Sequence, residues 1–152
     1  MTYAPRAAFL SALVLCSAAH AQAPQAPLTP ARAERLLEEY VSLWSDDARV
    51  NAASVAQFYA PVVVYYGKRM DRRAVLADKL RYIRQYPERD YSIVPGSTRV
   101  RCEQGRSSCI VSGRMLIRLV DRRGRVTRRS ASLRLEMIGA GGGQIEREQA
   151  SR

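Results

Sequence analysis

The chain has 152 residues, with 25 Lys or Arg against 14 Asp or Glu and a formal net charge of +11. That length holds one domain with a single core, and beyond the N-terminal segment no apolar stretch is long enough to span a bilayer. A lone histidine, His20, leaves no material for a zinc site or a His-based catalytic triad.

Residues 1–21 read as a cleavable export signal. Arg6 supplies the positive end, residues 7–16 form an uncharged and mostly apolar run, and Ala19 and Ala21 are the small residues a signal peptidase requires. Cleavage between Ala21 and Gln22 is expected, which places the mature protein in the periplasm or outside the cell. A membrane anchor would need a longer apolar run. A lipobox would need a small residue where Leu15 stands before Cys16. Cleavage removes both Cys16 and His20. The remaining pair, Cys102 and Cys109, then reads as one disulfide across a short loop, worth about 2–3 kcal/mol.

Residues 22–28 contain two prolines and read as a flexible linker, with a single domain over 29–152. Thr29 and Pro30 open a helix on which Ala33, Leu36, Leu37, Tyr40, Leu43 and Trp44 recur at helical spacing, ending near Asp46 and Asp47. Asn51 caps a second, short helix that Pro61 closes. Val62 to Tyr66 is β-branched and aromatic, hence a strand, turned by Gly67 and Lys68. Asp71 caps a third helix running to about Tyr86.

The rest alternates as strands: residues 90–102 bent at Pro95-Gly96, then 109–120, 125–138 and a short 144–149. The order predicts an α+β fold with helices on one face of a strongly curved antiparallel sheet. Three stretches carry a resemblance to a known group. They are Tyr40 with Trp44, the run from Tyr59-Ala60-Pro61 to Tyr65-Tyr66-Gly67-Lys68, and Asp78-Lys79 leading to Tyr86-Pro87-Glu88-Arg89-Asp90-Tyr91. With that element order the chain resembles the nuclear transport factor 2-like (SnoaL-like) superfamily. The resemblance implies a cone-shaped fold of three N-terminal helices on a curved sheet. Its relatives include cyclases, ketosteroid isomerases, scytalone dehydratases and many exported bacterial domains of unassigned activity, so it specifies fold better than function.

Candidate chemistry centres on Lys79. At 100° per residue it falls in the apolar stripe of the third helix, among Val75, Leu76, Leu80, Tyr82, Ile83 and Tyr86, while Asp78 faces out. A lysine there must meet a carboxylate, snorkel to a cavity mouth, or face an anionic or carbonyl-bearing ligand. Tyr40, Trp44, Tyr65, Tyr82, Tyr86 and Tyr91 are expected beside it in the cone. The aspartates fall at helix ends, turns or an outer helix face, and Glu146 and Glu148 fall on the strand face opposite Ile145. No carboxylate pair has an inward address, and no metal or cofactor is expected.

The leading expectation is an aromatic, lysine-lined cavity that binds a small ligand or a protein partner without catalysis. An isomerase-, dehydratase- or cyclase-type enzyme using Tyr and Lys as acid and base is the alternative. A third reading is a dimerising module with a basic sheet face, since Arg114, Arg128 and Arg134 share the outward face. There an acidic protein or an anionic envelope surface would dock. Nucleic acid is disfavoured by export and by the lack of a basic stripe interleaved with aromatics.

Overall fold

The computed structural model describes residues 27–103, 107–139 and 142–151. The export signal, the Ala21–Gln22 junction and the Gln104-Gly105 turn lie outside the described residues, as does most of the linker. Helix α1 spans Pro30–Leu43, α2 Ala52–Phe58 and α3 Arg72–Gln85. The strands are β1 Tyr59–Tyr65, β2 Lys68–Asp71, β3 Glu88–Ile93, β4 Arg99–Cys102, β5 Ser108–Val120, β6 Val126–Ile138 and β7 Gln144–Ser151.

The expected caps start each helix. The Thr29 side chain accepts from the Arg32 amide, and Pro30 occupies the first turn, where its missing N–H has no helical partner to lose. Asn51 and Ser54 form a reciprocal capping box at α2. The Asp71 carboxylate accepts from the Ala74 amide at 2.7 Å at the head of α3. Helix α1 buries Ala33, Leu36, Leu37, Tyr40, Val41 and Leu43.

The strands form one sheet in the order β2-β1-β7-β6-β5-β3, with β4 also pairing with β5. All pairings are antiparallel except β1 with β7, so the expected antiparallel sheet is mixed at one place. The last strand to be made inserts between the first and the sixth. It runs from Gln144 to Ser151, longer than the sequence pattern indicates.

Three further expectations about the fold need correction. The turn after β1 is Tyr66-Gly67, both at positive φ (47° and 82°), and Tyr65 pairs with Lys68. This is the left-handed two-residue connection that suits strand twist, and Lys68 already belongs to a strand β2 that the sequence reading did not separate. The single strand expected over 90–102 is two strands. Pro95 and the positive φ of Gly96 (72°) break the ladder, and Ser97 ties the detour together by donating to the Val94 carbonyl at 2.7 Å. Both halves then pair with the same edge of β5. The linker expected over 22–28 does not extend to its end, because Leu28 is only 6 % exposed and joins the core.

Cys102 and Cys109 are register partners across β4 and β5, with Cα atoms 4.0 Å apart, and they are joined by a disulfide. Beside them Gly143, at φ 72°, lies against Leu28 and Leu36. A Cβ there would sit 2.9 Å from Leu28 Cδ1 and 3.0 Å from Leu36 Cδ1. Gly143→Ala is therefore expected to lower stability by about 1–3 kcal/mol, through both backbone strain and overpacking. Urea denaturation checks it, and an unchanged midpoint would contradict this packing.

Candidate functional site

Helix α1 places Tyr40 and Trp44 one turn apart on its inner face, with ring centroids 5.6 Å apart and edge-to-face. Strand β1 brings Tyr59 and Tyr65 beneath them, α3 brings Lys79, and β7 brings Glu148. Glu148 is 1 % exposed. Its Oε2 accepts hydrogen bonds from the hydroxyls of Tyr40, at 2.7 Å, and of Tyr59. Its Oε1 accepts from Lys79 Nζ at 3.3 Å. Lys79 Nζ also donates to the Tyr40 hydroxyl at 3.0 Å and lies 4.3 Å above the Trp44 ring centroid. A buried carboxylate is thus hydrogen-bonded and paired, the condition under which a charge persists inside a protein.

The tyrosines respond to this setting. Burial, followed by the negative field of Glu148, raises Tyr40 and Tyr59 well above the ordinary phenol range. Tyr65, Tyr66 and Tyr91 are raised too, each chiefly by desolvation. Tyr40, Tyr59 and Tyr65 are thereby held neutral as hydrogen-bond donors.

Lys79 and Glu148 sit at the wall of a cavity of about 370 Å³. Its apolar lining includes Val41, Ile83, Met115, Ile117, Ala131 and Leu133. Of the residues singled out from the sequence, Lys79, Tyr40, Trp44, Tyr65, Tyr82 and Tyr91 line this one cavity, and Tyr86 does not. Tyr86 packs against Tyr82 with ring centroids 4.9 Å apart. Among the described residues no group of His, Cys, Asp and Glu could hold a metal ion. None of the described helices is long and apolar enough to cross a membrane.

Two carboxylates contradict the sequence reading. Asp78, expected to face solvent, is half-buried at the cavity wall. It accepts from the Tyr65 hydroxyl at 3.2 Å and pairs with Arg81. Glu148, expected opposite Ile145, shares its inner face. The register explains why: Glu136 pairs with Arg147 but Met137 with Ile145, so Glu146 is an extra residue in β7. A bulge of one residue reverses the alternation beyond it and turns Glu148 inward. One signal was available in the sequence. Ile145 and Ala150 lie five positions apart, which strict alternation cannot put on one face. Both line the protein interior.

No protein-family model and no curated protein matches the chain. Solved structures do. A nuclear transport factor 2-like superfamily protein from Salmonella enterica serovar Typhimurium matches over 79 % of this chain and 89 % of its own, at 10 % identity and a TM-score of 0.61. The chain has a nuclear transport factor 2-like fold. A Streptomyces avermitilis protein of the nuclear transport factor 2-like family, named as a candidate dehydratase, matches over 80 % of this chain and 94 % of its own, with 11 % identity and a TM-score of 0.64. A Xanthomonas campestris protein named for the association domain of calcium/calmodulin-dependent protein kinase II covers 84 % of this chain and 93 % of its own, at 18 % identity and a TM-score of 0.64. At these identities the likeness carries the fold and not the chemistry.

Within this nuclear transport factor 2-like cone, Arg89 anchors the end of α1. It is buried, donates to the Trp44 carbonyl at 3.2 Å and to the Tyr86 carbonyl at 2.6 Å, and pairs with Asp47. The residue lay inside the motif that carried the resemblance but drew no role from the sequence alone.

Two outcomes follow from the network. Lys79→Met leaves Glu148 without its cation, and a loss of about 3–5 kcal/mol is expected. The double variant Lys79→Met, Glu148→Gln should recover much of it, since an amide oxygen still accepts from the tyrosines. Additive losses in urea denaturation would contradict the coupling. The second outcome concerns alkali. The folded tyrosines titrate above their unfolded value, so their contribution is complete below about pH 10 and falls as pH rises further. Tyrosinate absorbance should show Tyr40 and Tyr59 ionising only together with loss of structure. Full ionisation of all tyrosines in a protein that stays folded would refute it.

Proposed function

We propose that the protein is an exported domain that binds a small, mostly apolar ligand in the cavity between α1, α3 and the sheet. The observation that carries this reading is the state of Glu148. Its oxygens are occupied by Tyr40, Tyr59 and Lys79, so the carboxylate is committed to holding the wall together. Lys79 is thereby fixed over the Trp44 ring with donor capacity to spare. A rigid aromatic wall, a fixed cation and an apolar floor suit recognition. The disulfide between Cys102 and Cys109 accords with an oxidising compartment.

A second reading has one specific observation in its favour. An inward carboxylate is present after all, so acid–base chemistry of the isomerase or dehydratase type has a candidate base in Glu148, with Tyr40 as its neutral acid partner. The two readings part on one variant. Glu148→Gln abolishes turnover if the carboxylate moves protons, while ligand affinity survives it if the carboxylate only positions Lys79.

The test of the leading reading uses protein isolated from the compartment to which it is exported. Native mass spectrometry should find a chain beginning at Gln22 that carries a small molecule. Ala131→Trp, which fills the cavity, should remove the molecule and keep the fold. An intact Met1 on soluble material would overturn the export reading. Equal retention by Ala131→Trp, or no bound molecule in either protein, would overturn the cavity reading.

A further inference from the structure

The cavity wall carries five charged side chains, Asp78, Lys79, Arg89, Arg129 and Glu148. Four have an opposite charge beside them: Lys79 with Glu148, Asp78 with Arg81, and Arg89 with Asp47. Arg129 does not. Among the described residues its polar contact is the Tyr82 hydroxyl at 3.3 Å, and it stands exposed at the rim. The net field offered to a ligand is therefore positive and comes from the rim. A guanidinium with open N–H groups is a ready partner for a carboxylate.

The inner end has a different character. Among the described residues the Trp44 indole N–H is buried without a hydrogen-bond partner and closed off from the cavity, so the donor that a ligand meets at this end is Lys79. Trp44 is 7 % exposed and lines the cavity. Lys79 has three N–H donors and two acceptors, Glu148 and Tyr40. The carboxylates here are already engaged, so the open capacity at this end is donor capacity. A second negative charge would sit close to buried Glu148 and be repelled. A neutral oxygen acceptor meets the donors without that cost.

We propose that the ligand class is a small carboxylic acid with an apolar body and a neutral carbonyl oxygen at its far end. The carboxylate pairs with Arg129 at the rim, the body packs on Ile83, Met115, Ile117 and Leu133, and the carbonyl accepts from Lys79 Nζ, which lies over the Trp44 ring. Amines are excluded, because they bring a cation to Arg129 and donors to donors. This inference rests on the cavity-binding reading above and adds the polarity of the site to it.

Trp44 is the chain's only tryptophan, so one indole N–H resonance reports on the inner wall. The probes are 4-acetylbenzoate, 4-ethylbenzoate, 4-acetylbenzylamine and 4-methylacetophenone, titrated into the mature protein by calorimetry and proton–nitrogen spectroscopy. The expected result is that 4-acetylbenzoate binds about tenfold more tightly than each of the others, a gap typical of one charge-assisted contact. It should also shift the indole signal, which 4-ethylbenzoate should not. Arg129→Gln, a change at an exposed position, should weaken 4-acetylbenzoate about tenfold and leave 4-methylacetophenone unchanged. Binding of the amine or the neutral ketone as tight as that of the keto acid would overturn this proposal and leave cavity binding standing. If no probe binds and no resonance of the cavity wall moves, this proposal falls, and the cavity reading stands or falls on the bound molecule sought by native mass spectrometry.

Discussion

The buried carboxylate of Glu148 is the constraint on which the rest of the arrangement depends. A charge in that position is tolerated only if its hydrogen bonds and its countercharge come with it. Three separate elements supply them: α1 with Tyr40, β1 with Tyr59 and α3 with Lys79. Each element's position is thereby tied to a common point. The hydrogen bonds do double duty, since they neutralise the carboxylate and also hold Tyr40 and Lys79 at the cavity wall. A site assembled in this way is rigid at its inner wall and open at its rim, where Arg129 has no opposite charge beside it among the described residues.

Aromatic packing extends this order outward. Tyr40 meets Trp44, Phe58 and Tyr59 edge-to-face, and Tyr59 meets Tyr65 in the same way. Lys79 lies within cation–π reach of Tyr40, Trp44 and Tyr65 together. A lysine so placed has little freedom left to lose when a ligand arrives, which favours recognition by preorganisation. The raised tyrosines work in the same direction. Neutral phenols donate to Glu148 and Asp78 and add no negative charge to a cavity that already holds two carboxylates.

The topology of β7 makes this possible. The strand formed last in the chain runs between β1 and β6, so it lies under the cavity and not at the sheet's edge. The bulge at Glu146 then decides which of its side chains point inward. Without the extra residue Glu148 would face solvent, Lys79 would lack a countercharge, and Tyr40 and Tyr59 would need other acceptors. One inserted residue thus sets the chemistry of the whole wall.

Local sequence determined the helices, because caps and apolar spacing act within a few residues. Thr29, Asn51 and Asp71 begin helices as their side chains dictate, and the stripe on α3 puts Lys79 inward. The same short-range logic paired Cys102 with Cys109, whereas the resemblance in element order, and not local sequence, put Tyr40 and Trp44 beside Lys79. What lay beyond it depends on partners distant in the chain. The burial of Leu28 and the inward turn of Asp78 follow from what packs against them. Glu148 is the clearest case. Alternation counted from Ile145 sends it to solvent, and only pairing with β6, which shifts register at the bulge, brings it inside. Periodicity records the average geometry of a strand, and the functional residue sits where that geometry is broken.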